Sequence, residues 1–445
     1  MFPFGLRAER LEELEVQITD ALHNTVNLEA LHWTRTGSLN NRLLLTMFDR
    51  LQRLQKLEIT GNSRLETTGT TRTWSPGLLV AKVPKSLRQV SIVLPDRMCA
   101  QMLVPLAAKL EGQLDTLSVL SLDSPVITDA VLAELAVYTP RLRRLALVGC
   151  KHVQGPGVQA LVSTAGAEHL RELALEGLPL VPGMLRSLAP FAEQLRSLTL
   201  TYPTRTEDLD AFYDEFAELV GACRELHSLV YYARGGSPPV LGEGAEGGAE
   251  AEPEEPGEIE EGGAERVVAP VPTPAATTPS HAATDLVVVP QAPHRSSPAL
   301  SARFTRHLVF SRAARTLRVL RIHGIAVPLH QLQMLALSIL SDRLEELAIH
   351  IYEGDLETLK LLLGKLRALR TLHLLSHLRS DANFSEEQVL EIAGACAPSL
   401  TQIGFRNRVW LVERQYHEDN TADVSLRRWD MAAGVFPEAM LVVRS

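Results

Sequence analysis

The sequence predicts an α/β solenoid, with parallel strands lining the inside of a curve and helices on its outside. Three observations predict it. The hexamer L-x-x-L-x-L recurs about thirteen times, and the first leucines of successive copies stand mostly 25 to 31 residues apart. That interval holds a short strand, a turn and two or three helical turns. The copies also alternate with segments whose apolar residues share one helical face. A unit this short cannot bury its own apolar face, so stacked copies must share one continuous core.

In chain order the clear copies are LEELEV from Leu11, LQKLEI from Leu54, LRRLAL from Leu142, LRELAL from Leu170 and LRSLTL from Leu195. LRVLRI from Leu317, LEELAI from Leu344 and LRTLHL from Leu369 follow the longest gap, and weaker copies begin at Leu28, Leu87, Leu117, Leu226 and Leu400. Each core is predicted as a strand because its last two apolar residues have period 2. Between cores the period changes. Leu209, Phe212, Phe216, Leu219 and Val220 share a helical face with Thr206 as its expected N-cap, and Ser385 with Glu386 and Glu387 opens a later helix. The Thr-rich stretch between Gly61 and Ser86 reads as an inserted loop.

The repeats are expected over residues 1–234 and 300–407. Between them, 235–299 is Gly/Glu-rich and then Pro/Thr/Ser-rich, a composition that cannot bury enough apolar surface to offset the entropy of ordering, so it reads as a disordered insertion. Its Thr273, Thr278 and Ser297 each precede proline and are candidate phosphorylation sites, with Arg303, Arg306, Arg312 and Arg315 nearby as phosphate partners. Residues 408–445 leave the repeat pattern: two alternating runs separated by HEDNTAD predict an antiparallel hairpin. This cap would close the last open core face, with Trp410 and Trp429 as its plugs.

Composition narrows the partners. The net charge is −9, but ten glutamates fall between Glu243 and Glu265; without them the chain would carry +1. A nearly neutral folded part argues against nucleic-acid or acidic-membrane partners. The four cysteines lack any C-x-x-C spacing and read as reduced, buried thiols. With no signal-peptide run and no window of membrane-spanning length, the expected location is cytoplasmic or nuclear.

The unit LRRLALVGCKHVQGPGVQALV, Leu142 to Val162, resembles the cysteine-containing, ribonuclease-inhibitor-like class of leucine-rich repeat. In that pattern Cys150 takes the turn position whose inward side chain bonds the backbone, and Asn62 takes the same place in the repeat from Leu54. The chain as a whole is similar to fungal F-box/leucine-rich-repeat proteins. That resemblance implies a substrate receptor of a ubiquitin ligase. No F-box segment is visible ahead of Leu11, so a Skp-type adaptor and a cullin are implied partners only where that module lies upstream.

No catalytic motif appears: there is no G-x-S-x-G, no H-E-x-x-H, and the glycines after Gly242 lack G-K-[ST]. The expected function is therefore non-catalytic protein recognition by a monomer on the inner face of the curve, without a cofactor. The alternative is a stand-alone regulator or inhibitor unrelated to ubiquitin ligases. Residues flanking and between the last two apolar positions of each core point inward. At the late end these include Tyr232, Arg321, His323, His350, His373 and Arg406, types suited to an interface hot spot. The three histidines are read as occupying equivalent rungs, but no metal is expected because no acidic or cysteine partner matches their spacing.

Overall fold

A computed structural model describes residues 8–429, apart from 234–298 and shorter stretches at 37, 68–69, 111, 122–124, 204–207, 352–354, 376–383, 406–407 and 419–420. The strands are β1 (Ala30–Trp33), β2 (Lys56–Thr60), β3 (Arg64–Thr67), β4 (Thr70–Thr73), β5 (Gln89–Val93), β6 (Thr116–Leu120), β7 (Arg144–Val148) and β8 (Glu172–Glu176). They continue with β9 (Ser197–Thr201), β10 (Ser228–Tyr232), β11 (Val319–Val327), β12 (Glu346–Ile351), β13 (Thr371–Leu375), β14 (Gln402–Phe405), β15 (Arg408–Tyr416) and β16 (Ala422–Arg428). All but β3 and β4 form one fourteen-stranded sheet in chain order. It is parallel through β14 and antiparallel over β14, β15 and β16. The chain is thus a leucine-rich-repeat-like α/β solenoid ending in an antiparallel hairpin.

The hexamer produces this sheet directly. Leu142, Leu145 and Leu147 are fully buried, whereas Arg144 between them is exposed, and the pattern recurs from strand to strand. Helices on the other side complete the core, and their starts are fixed by side chains that satisfy first-turn N–H groups. Asn40, Asp96 and Asp355 each accept from the backbone N–H three residues on, at 2.9, 2.8 and 2.7 Å. Ser385 and Gln388 form a reciprocal capping box.

The sheet continues across residues 234–298. Strand β10 pairs in parallel with β11 from Ser228↔Val319 to Tyr232↔His323. Behind that pair, the helices Leu209–Ala222 and Ala302–Phe310 pack through Phe216 and Phe304, whose rings stack with centroids 4.3 Å apart. Ala299 forms one bridge to Ala326. The remainder of the expected insertion, with Thr273, Thr278 and Ser297, lies outside the described residues, as does the end of the cap beyond 429.

Three local expectations fail. LEELEV forms part of a helix, Ala8–Asn24, instead of the first strand, so Glu13, Glu15 and Gln17 stand on a helix and not on the inner face. Leucines at i and i+3 fit both structures, and here Ile18 and Leu22 extend the helical spacing. The Thr-rich loop contains a β3–β4 hairpin followed by the helix Pro76–Lys82, with Trp74 buried between them. The helix from Leu209 is capped by Asp208, which accepts from Ala211 N–H at 2.9 Å; Thr206 falls outside the described residues.

In the terminal hairpin Trp410 is 2% exposed and its Nε1–H donates to Glu386 Oε1 at 3.1 Å. Trp429 is only half-buried, and its backbone N–H donates to Val409 O at 2.9 Å. Arg414 ties the hairpin to the last repeat by donating to the carbonyls of Leu400 and Ala393 at 2.6 and 3.0 Å.

Candidate functional site

The inner face divides into two regions that differ in how far their side chains are already engaged. At the late end, Arg321 on β11 grips Glu346 on β12 with both Nε and a terminal nitrogen, the latter 3.0 Å from Oε2. These side chains are only 20% and 11% exposed. Tyr232 donates its hydroxyl to Glu176 on β8.

The histidines do not form the expected row. Arg321 pairs with Ala348, which pairs with His373, so His373 shares the arginine's rung. His350 stands opposite Ala326 and Leu375. The cause is a bulge in β11 between Arg321 and Ala326. Gly324 carries it at φ +66°, and a Cβ there would lie 2.9 Å from the Ala233 carbonyl oxygen.

Exposure differs too. His323 and His373 are 6% and 5% exposed rather than presented to solvent. His373 lies against the backbone of Gly404, where an added Cβ would meet its Nδ1 at 2.8 Å. Both ring nitrogens of His323 are buried without a hydrogen-bond partner. Burial, reinforced by the positive charges of His350, His373 and Arg321, pushes its pKa down to about 3. His323 is therefore neutral near pH 7. His350 is half-buried, and Arg406 lies outside the described residues. Among the described residues no three His, Cys, Asp or Glu side chains are placed to hold a metal ion.

The turn residues occupy different surroundings. Cys150 is fully buried, with its thiol 3.8 Å from Val148 O. Asn62 is half-buried, and its carbonyl accepts from Trp74 Nε1–H at 3.2 Å. Burial pushes the thiols of Cys99, Cys223 and Cys396 up to about 12, which leaves them protonated and unreactive.

The earlier strands carry an open groove that was not singled out from the sequence. It has a volume of about 600 Å³, and its lining runs from Lys56 and Glu58 on β2 to Ser197 on β9. Ser91, Thr116 and Ser118 supply a half-exposed polar floor. Arg143, Arg144, Arg171 and Arg196 border it beside Asp115 and Glu172. The signal for it was available: small polar residues at the inward positions of two successive strands, β5 and β6, leave room, and arginine recurs just after a core's first leucine.

No helix among the described residues is long and apolar enough to cross a membrane. No protein-family model matches the sequence, and no curated protein matches it. Solved structures similar to the chain include Rad7 in the Rad7–Elc1 complex of yeast, at 13% identity over 89% of this chain and 83% of that one, with a TM-score of 0.46. The leucine-rich-repeat protein LegL7 of Legionella pneumophila matches at 12% identity over 91% and 89% of the two chains, with a TM-score of 0.34. TLR13 in its complex with ssRNA13 matches at 13% identity over 87% and 58%, with a TM-score of 0.32.

Proposed function

We propose that this chain is a protein-recognition scaffold that holds a protein partner in the groove over β2 to β9. In this reading it acts as the substrate receptor of an F-box/leucine-rich-repeat-type ubiquitin ligase and does no chemistry on its partner. The groove itself carries the proposal. It is an open, half-exposed surface spanning several strands, with arginines and carboxylates at its border, and a rigid hydrogen-bonded sheet presents such a surface at little ordering cost. In the late patch, Arg321 and Tyr232 play a different part: their bonds to Glu346 and Glu176 tie strands of the sheet to one another.

The test is affinity purification of the tagged chain from its own cells beside two full-length variants. Ser91→Arg with Ser118→Arg fills the groove floor, and Arg186→Ala alters an exposed ion pair with Glu218 on the helical side. A stoichiometric partner lost from the first variant and kept by the second is the expected result. A partner retained by the filled groove refutes the site. A Skp-type adaptor and a cullin among the recovered proteins are expected for a ligase receptor; their absence, with the groove partner present, retires the ligase reading and leaves a stand-alone binding protein.

A further inference from the structure

The residue that precedes each strand forms a second ordered row beside the groove. Arg143 N–H donates to Asp115 O, Arg171 N–H to Arg143 O and Arg196 N–H to Arg171 O, each at 2.7 Å. Three arginines thus stand on consecutive rungs of one backbone ladder, at the rim of the groove that they line. Arginine recurs at the same place before β5, β11 and β13, as Arg88, Arg318 and Arg370.

These arginines are only lightly engaged. Arg143 is exposed and has no carboxylate partner among the described residues. The hydrogen bond of Arg171 goes to the carbonyl of Leu170 at 3.3 Å. Arg196 pairs with Glu225 at 3.0 Å, but the two side chains are 57% and 43% exposed, so solvent screens the pair and a competing carboxylate can replace it. Five basic side chains line the groove (Lys56, Arg143, Arg144, Arg171 and Arg196) against the carboxylates of Glu58, Asp115 and Glu172. The rim is therefore locally basic on a chain whose net charge is −9.

Spacing selects the form of the ligand. Neighbouring strands lie about 4.8 Å apart, so three rungs span roughly 10 Å. Carboxylates on one face of a helix, at i, i+3 or i+4, and i+7, span about 10.5 Å. Three same-side residues of an extended strand span about 13–14 Å, which would leave the outer arginines reaching inward. Guanidinium forks also match planar carboxylates in a two-point grip.

We propose that the row Arg143, Arg171, Arg196 docks an acidic helical segment of a protein partner, one carboxylate on each arginine. This rests on the protein-recognition reading above and names the chemistry of the partner.

The experiment is fluorescence anisotropy with the full chain and two labelled Ala/Glu peptides of about 16 residues, long enough to be partly helical. One carries its glutamates on a single helical face; the other has the same composition with the glutamates distributed around the helix. The one-face peptide should bind at least tenfold more tightly, more weakly as salt rises, and at least tenfold more weakly to Arg171→Ser. The thermal midpoint of that variant, measured alongside, should be nearly unchanged because the side chain is half-exposed and makes one long hydrogen bond, to Leu170 O at 3.3 Å. Equal binding of the two peptides overturns the proposal. So does tighter binding of a single-stranded RNA of equal charge, which would make the rim a general polyanion site. Binding that appears only in a full-length variant with the glutamates between Glu243 and Glu265 changed to glutamine would assign the row to this chain's own acidic run, and also overturns it. A cellular partner lost from Ser91→Arg with Ser118→Arg but kept by Arg171→Ser would sink this inference while leaving the proposed function intact.

Discussion

Replacing His323 by leucine should flatten the acid side of the protein's stability profile. The imidazole is 6% exposed, both its nitrogens lack partners, and His350, His373 and Arg321 add unfavourable positive charge around it. Its pKa is about 3 in the folded chain, against roughly 6.5 when unfolded. Above pH 6.5 the ring is neutral in both states and contributes no pH dependence. Below it the unfolded chain takes up a proton that the folded chain refuses, so stability falls by about 1.4 kcal/mol per pH unit until the folded pKa is reached. At pH 5 the native ring is still neutral and the accumulated loss is about 2 kcal/mol. Leucine has no such loss. At pH 7.5 the variant should match or slightly exceed the wild type, because an apolar side chain replaces buried polar atoms that lack partners. Urea unfolding followed by circular dichroism at pH 7.5, 6 and 5 measures the difference directly. The wild-type minus variant gap should widen by about 2 kcal/mol across that range. A gap independent of pH would refute the burial argument, since an imidazole open to water titrates alike in both states.

Three further outcomes follow from the packing. Phe304→Ala removes a ring that is 2% exposed and stacked on Phe216; it should cost about 3–5 kcal/mol and split urea unfolding into two transitions, because this contact joins the halves of a nearest-neighbour solenoid. A single transition with an unchanged midpoint would count against that coupling. Trp410→Ala should abolish amide-exchange protection in the helix Glu386–Ala395 and β14 while leaving β5 to β8 protected, as hydrogen-exchange mass spectrometry would register. Equal loss along the whole chain would argue against a local cap. Finally, a thiol reagent such as dithionitrobenzoate at pH 8 should leave Cys99, Cys223 and Cys396 unmodified in the native chain and label them in urea; rapid native labelling would contradict their burial.

The sequence made most of the architecture legible because the hexamer has two independent consequences: buried leucines at period 2 and a repeat length that fits one strand and one helix. It failed at Leu11, where the same spacing of leucines continues through Ile18 and Leu22 at helical intervals. Local spacing cannot separate the two cases there, and the decision comes from the residues that follow the hexamer. The row of histidines failed for another reason. Counting inward positions treats every strand as regular, but Gly324 introduces a bulge that breaks the correspondence between His323 and His350. A glycine inside a strand pattern was a usable warning. The burial of His323 was not readable at all, because it depends on neighbours distant in sequence.

Why the open groove and not the late patch should hold a partner can be argued from what each would have to give up. A ligand competing for Arg321 must separate it from Glu346, a two-point pair whose side chains are mostly buried. Breaking such a pair strands a charge away from water, at a cost of about 3–5 kcal/mol. A ligand competing for Arg144 or Arg196 displaces Glu172 or Glu225 from pairs that are about half exposed, at a cost of at most about 1 kcal/mol. The difference, about 2–4 kcal/mol, corresponds to roughly 30- to 1,000-fold in affinity. Histidine and arginine on the inner face suit a binding surface by residue type, yet residue type does not say whether a side chain is already paired, as Arg321 is with Glu346. The pairing of Arg321 with Glu346 therefore favours β2 to β9 as the proposed surface, because the charged groups there are in exposed pairs that a ligand can replace.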